Sequence, residues 1–171
     1  MKTKSSDSVA CSHCLLKFNK NTAITEKNGE HYLYFCCAGC RSVYHVIRDG
    51  GFEKFYEKRR GFKPGPPGSV SVSEELFSDD ITEVDGLKEI DIYVSGIRCA
   101  ACIWLIENYI GKLTGVVYVR ANYATHQIKI KWDRESDLSS ILKTIVSLGY
   151  TPLPLSGGSK DAQLFKEKKR N

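Results

Sequence analysis

The chain has 171 residues, a net charge of +5, seven cysteines and one methionine, which allows one domain or two small ones. Its basic residues are scattered except at the far C-terminus and form no stripe interleaved with aromatics, which argues against a nucleic-acid partner. The polar start Met1-Lys2-Thr3-Lys4-Ser5 carries no apolar signal core and no apolar run approaches the ~20 residues of a membrane span, so the odd set of cysteines reads as metal-binding or redox groups before disulfides.

Residues 1–60 read as a cysteine-rich metal-binding module. Cys11-Ser12-His13-Cys14 forms a knuckle. A hairpin signal follows: Thr22 to Glu26, a turn at Asn28-Gly29, then Tyr32-Leu33-Tyr34-Phe35. It leads into Cys36-Cys37-Ala38-Gly39-Cys40, after which Val43, Tyr44 and Ile47 recur at helical spacing until Gly50-Gly51. A knuckle, a hairpin and a helix whose first turn supplies further sulfurs is a treble-clef or zinc-ribbon layout. So short a module buries little core alone, and a structural metal is physically expected. Three cysteines compete for two places at the helix. Cys11, Cys14, Cys36 and Cys40 are the favoured ligands, for zinc or copper, with Cys37 as the alternative. His13 could substitute but is expected to be solvated, and His31 and His45 lack ligand spacing. Phe52, Phe55 and Tyr56 predict a short second helix that closes the module by core packing.

Residues 61–86 read as a linker, Pro- and Gly-rich over Gly61–Ser69 and then acidic and irregular, with a helical turn near Glu74 to Phe77. Residues 87–155 read as a second domain. Ile90, Ile92 and Val94 alternate with Glu89, Asp91 and Tyr93 as a strand, and Cys102, Ile106, Ile110 and Leu113 repeat as a helix. Val117, Val119 and Ala121, then Ile128, Ile130 and Trp132, mark two more strands. Leu138, Ile141, Leu142, Ile145 and Leu148 mark a helix capped near Ser136 and ended by Gly149, before a last strand starting at Tyr150. The order βαββαβ predicts a ferredoxin-like sandwich, so the chain as a whole is α+β. Residues 156–171 form a basic tail, readable as a solvated end or as the approach to a membrane helix.

The chemistry centres on Gly96-Ile97-Arg98-Cys99-Ala100-Ala101-Cys102. A cysteine pair leaving a strand and entering a helix is expected to be partly exposed in a loop. Its second sulfur lies in the first turn, where free amide N–H groups and the helix dipole favour thiolate. Two thiolates with no nearby His or carboxylate suit a soft ion of low coordination number, and Cu(I) fits best. A thioredoxin-like redox pair would prefer Trp before the first cysteine and Pro between the two, where this chain has Arg98 and two alanines.

These residues and the strand order, with Gly149-Tyr150 before the last strand, resemble a heavy-metal-associated domain. Such domains carry Cu(I) in copper chaperones and in the N-terminal tails of copper-translocating P-type ATPases. The first module, with Cys11-x-x-Cys14, Phe35-Cys36-Cys37-Ala38-Gly39-Cys40 and Gly51-Phe52-Glu53-Lys54-Phe55-Tyr56, resembles the metal-binding domain that precedes it in one ATPase branch. That branch is tied to assembly of cbb3-type cytochrome oxidase. Ile97 stands where the family more often has Met. The resemblance implies a soluble, cytoplasmic N-terminal extension of an inner or plasma membrane pump. The chain lacks the phosphorylation motif, nucleotide domain and membrane helices, so it is expected to be no enzyme itself.

The implied partners are a copper chaperone or other metal donor and the catalytic domains of the parent ATPase, with membrane contact only through a C-terminal part outside this chain. Trp104 and Leu105 fall off the expected inward stripe of Ile103, Ile106, Ile110 and Leu113, and read either as a docking surface or as packing against the first module. Two other function classes stay open: a free-standing copper chaperone or metal sensor, and a CxxC thiol oxidoreductase.

Overall fold

The computed structural model describes residues 7–59 and 72–156; the Gly/Pro-rich stretch and the basic tail lie outside the described residues. The chain opens with two small antiparallel hairpins, β1 (Ser8–Ala10) with β2 (Lys17–Asn19) and β3 (Ile24–Asn28) with β4 (His31–Phe35). The first holds the knuckle at its tip, closed by hydrogen bonds from the Cys11 N–H to the Leu16 carbonyl and from the Leu15 N–H to the Cys11 carbonyl. In the second, Asn28 lies opposite His31, so the turn is Gly29-Glu30, one residue later than the sequence pattern implies. Gly29 takes the left-handed conformation (φ 64) that a side chain would resist.

Helix α1 (Ala38–Asp49) follows the cysteine cluster and α2 (Lys54–Lys58) follows the Gly50-Gly51 break. A 3₁₀ stretch, Glu74–Asp80, leads to β5 (Thr82–Val84) and β6 (Leu87–Ser95). Then come α3 (Ala100–Gly111), β7 (Val116–Asn122), β8 (Gln127–Trp132), α4 (Leu138–Ser147) and β9 (Thr151–Pro154). Strand β6 pairs with β8 on one side and β9 on the other, and β7 lies outside β8, all antiparallel. This is the expected ferredoxin-like sandwich. Ile90, Ile92 and Val94 of β6 and Ile128, Ile130 and Trp132 of β8 meet Leu105, Ile106 and Ile110 of α3 and Ile141, Leu142 and Ile145 of α4 in one buried core. Each such side chain contributes about 1.5–3 kcal/mol of transfer free energy, so this core does not depend on any metal.

Three local expectations differ from what the backbone does. Residues 82–84 are not irregular: β5 pairs with the start of β6 across Asp85-Gly86, whose φ values of 54 and 77 make the turn that Asp-Gly favours. Val117 does not face the core. A bulge between Val116 and Tyr118 puts it on the outside at 52% exposure and turns Val116 inward instead. The cap of α4 is Asp137 rather than Ser136, its carboxylate accepting from the Ser140 N–H at 2.7 Å.

The larger core does not stop at the second domain. Val43 and Ile47 of α1, together with Phe52 and Phe55, belong to the same buried cluster as α3 and α4. Helix α1 is thus two-faced: Cys40 turns toward Phe35 and the knuckle, while Val43 and Ile47 turn toward the second domain. Phe52 and Phe55 pack as core, as their spacing implies, but against α3 and its surroundings rather than only closing their own module.

Candidate metal centres

Four sulfurs converge in the first module. The Sγ atoms of Cys11, Cys14, Cys36 and Cys40 all lie within 4.8 Å of one another. Cys36 Sγ stands 3.6 Å from both Cys14 Sγ and Cys40 Sγ. A tetrahedral ion with metal–sulfur bonds of about 2.3 Å places its sulfurs about 3.8 Å apart, so the spacing fits such an ion. The electrostatics agree. Cys11, hydrogen-bonded by Cys40 above all, is held down at about 4, whereas Cys40 is pushed up by that same bond and by burial. Burial first of all pushes Cys36 up to about 12. Sulfurs crowded this closely cannot all be anions without a cation between them.

Cys37 lies outside the set, and its place is explained by the helix. It is the N-cap of α1, and its sulfur accepts from the Cys40 N–H at 3.4 Å, satisfying an amide that the first turn leaves unpaired. His13 is not solvated. It is 6% exposed, with Nδ1 3.0 Å from the Tyr56 hydroxyl. Burial first, then the nearby Arg59 charge, lowers it to about 4, so its ring is neutral. It turns away from the knuckle because Tyr56 of α2 offers it a polar partner inside the protein. His31 is exposed, and His45 pairs with Glu26 at 2.8 Å.

The second pair repeats the local geometry of Cys37 and Cys40. Cys99 is the N-cap of α3 at φ −157 and ψ 168, against φ −158 and ψ 166 at Cys37. Cys102 falls in the first turn, and its N–H reaches the Cys99 carbonyl at 3.0 Å. The two sulfurs are 3.6 Å apart and unbonded. The expectation of a partly exposed loop is overturned: Cys99 is 4% and Cys102 0% exposed. Burial first, and the neighbouring Cys102 second, push the Cys99 thiol up rather than down. Desolvation outweighs the helix end here, because both sulfurs sit inside a continuous apolar cluster.

One further residue, Tyr150, shares the buried cluster that encloses this pair. Tyr150 is buried, and burial, then the neighbouring Cys102, pushes its phenol well above the ordinary tyrosine range, so it stays protonated. Gly149, left-handed at φ 90, turns the chain so that this ring faces the sulfurs. Arg59, at the end of α2, belongs to the knuckle of the first module. It donates to the carbonyls of His13 and Ser12 and stacks over Tyr56 at 4.6 Å.

Trp104 and Leu105 do not form an outward surface. Leu105 is 0% exposed, and Trp104 is half-buried with its ring 5.8 Å from Phe52 and Lys58 Nζ 5.6 Å above it. Helix α3 carries apolar residues nearly all round because it is covered on two sides, by its own sheet and by the first module.

Residues 10–85 match the family described as "Putative metal-binding domain of cation transport ATPase", and residues 91–151 match the heavy-metal-associated domain. The two matched regions follow one another in that order. Among similar proteins, the "Probable copper-exporting P-type ATPase" of Archaeoglobus fulgidus is 40% identical over 60 residues, covering 34% of this chain and 8% of that protein. The copper-exporting P-type ATPase of Bacillus subtilis is 28% identical over 109 residues, covering 63% of this chain and 13% of that protein. This chain therefore spans about a tenth of the length of these two relatives. The solution structure of the N-terminal domain of a potential copper-translocating P-type ATPase from Bacillus subtilis, Cu(I)-loaded, is 25% identical at a TM-score of 0.38, covering 39% of this chain and 84% of that one. No helix among the described residues is long and apolar enough to cross a membrane.

Proposed function

We propose that the chain is the N-terminal, cytoplasmic metal-binding region of a copper-translocating P-type ATPase. Its heavy-metal-associated domain binds Cu(I) between Cys99 and Cys102, for delivery to the pump or for its regulation. The observation that carries this is the pair itself: two sulfurs 3.6 Å apart at a helix N-terminus, enclosed by apolar side chains and a protonated tyrosine, with no hard ligand in the set. A monovalent soft ion prefers such a site, and binding it displaces the thiol protons. The finer assignment, to the branch tied to cbb3-type oxidase assembly, rests on the order of the two domains and belongs to the same proposal. A metal donor and the pump's catalytic domains are the partners this reading implies.

The test is anaerobic Cu(I) titration of the whole chain against its Cys99→Ser, Cys102→Ser double variant. The variant should lose one Cu(I) equivalent and keep the circular dichroism of the second domain, whose core is independent of the sulfurs. Equal copper uptake by the two proteins would overturn the assignment, and an unfolded variant would overturn the separation of core from site.

In the first module the same proposal assigns Cys11, Cys14, Cys36 and Cys40 as ligands of a structural ion, with Zn(II) as the default occupant of four sulfurs. Cys37 then serves only the helix. Cys37→Ala should lower stability by about 0.5–1 kcal/mol, at the low end for a lost cap, and leave metal content per chain unchanged. Loss of an equivalent in elemental analysis would make Cys37 a ligand.

A further inference from the structure

We propose that the first module is a latch on α3, and that Cu(I) enters and leaves the Cys99–Cys102 pair through a state in which this module has undocked. The proposal rests on the copper-binding reading of the pair and concerns how that site is regulated. An ion held by two thiolates changes hands when an incoming ligand atom bonds it and its old sulfurs let go. A partner must therefore reach the metal or the sulfurs, and Cys99 is 4% and Cys102 0% exposed. Arg98 and Ala100, on either side of Cys99, are exposed, so the loop lies at the surface while its sulfurs turn inward.

Two joints offer a way to the pair. One is the sandwich, and opening it exposes the main core of the second domain. The other is the contact between α3 and the first module, which gives four buried residues to the shared core, Val43, Ile47, Phe52 and Phe55. The Phe52 ring centroid lies 5.8 Å from that of Trp104 and 4.9 Å from that of Tyr109, so it sits over the strip of α3 between them. Helical spacing puts Ala101 on that strip, one turn before Trp104, and Leu105, one turn before Tyr109. Both are buried, and Ala101 stands between the two cysteines in the chain. The footprint of the module thus runs to the first turn of α3, the turn that carries Cys102. The remaining contacts are separable: Lys58 Nζ 5.6 Å from the Trp104 ring centroid, Lys112 Nζ 4.5 Å from that of Phe52, and Gly50 against Tyr109. Local opening takes the joint that buries the least apolar surface, so this interface yields before the sandwich does.

The experiment loads the whole chain with Cu(I) anaerobically and follows copper removal by bathocuproine disulfonate in stopped flow. The signal of the pair is the difference from the Cys99→Ser, Cys102→Ser variant. In this step the Cu–S bonds break, Cu–N bonds to the chelator form, the freed thiolates take up protons and the metal stays Cu(I). Two variants loosen the latch from different contacts. Phe52→Ala removes the ring, and Gly50→Ala places a Cβ 2.5 Å from Tyr109 Cε2. Each should speed removal about tenfold or more. Affinity at equilibrium should stay within about threefold, since the latch adds no ligand to the metal. Ile130→Val, which loosens the sandwich core away from the interface, should stay within about twofold of the wild-type rate.

Removal at the wild-type rate in a variant whose Trp104 emission shows undocking overturns the proposal. Unshifted emission in both variants removes the interface and the proposal with it. Faster removal with affinity lowered by the same factor means a weakened site rather than an opened latch. An equal acceleration in Ile130→Val makes the sandwich the joint that opens, and overturns it too. Failure of the underlying copper reading looks different, because wild type would then hold no more Cu(I) than the Cys99→Ser, Cys102→Ser variant.

Discussion

Removing the metal from the first module should melt residues 8–40 and leave the second domain intact. The core around the four-sulfur site consists of Cys11, Cys14, Phe35 and Cys40, so three of its four buried residues are themselves ligands. Without an ion, that core is one fully buried phenylalanine, a set of thiols and the half-buried Phe18, Ile24, Leu33 and Tyr44. Metal–thiolate binding contributes on the order of 10 kcal/mol at neutral pH, far beyond what the remaining contacts supply. The second domain holds its own apolar core and needs no such help. Chelation should therefore collapse the amide dispersion of residues 8–40 in an NMR spectrum while residues 87–155 keep theirs. Val43, Ile47 and Phe55 are seated in the larger core, so the C-terminal half of α1 and α2 should be affected less. A dispersed spectrum for residues 8–40 after complete metal removal would show that this centre is filled only in passing.

The sequence makes the two sulfur clusters and the ferredoxin-like order readable because both are local signals. Paired cysteines at fixed spacing announce themselves, and the alternation of Ile90, Ile92 and Val94 or the 3.6-residue repeat of α4 depends on neighbours in the chain. Contacts between modules leave no such periodicity. Trp104 and Leu105 could be read as a docking surface because a second covering layer on α3 is a fact of tertiary structure. The same holds for the burial of Cys99 and Cys102, which reversed the expected ease of forming the thiolate. His13 looked solvated for the same reason, its partner Tyr56 lying 43 residues away. Which of Cys36 and Cys37 faces the other sulfurs is not a local signal either, because Cys14, the sulfur that Cys36 meets at 3.6 Å, lies 22 residues away. β5 has a local signal in Asp85-Gly86, a dipeptide that favours a two-residue hairpin turn.

Phe52→Ala should undock the first module from α3 at a cost of about 3–5 kcal/mol, the range for deleting a buried phenylalanine ring. Phe52 is buried between Trp104 and Tyr109, with Lys112 Nζ 4.5 Å above its ring centroid. Its ring is thus held by two aromatic neighbours and a cation, and alanine reaches none of them. The second domain should keep its fold, so the loss should register as a separate, earlier transition of the first module in urea. The two tryptophans allow this to be seen directly. Trp132 lies deep in the sandwich core and should not change, whereas Trp104 gains water and its emission should shift to the red. Unchanged emission, with stability within about 0.5 kcal/mol of wild type, would place Phe52 on the surface and remove this interface.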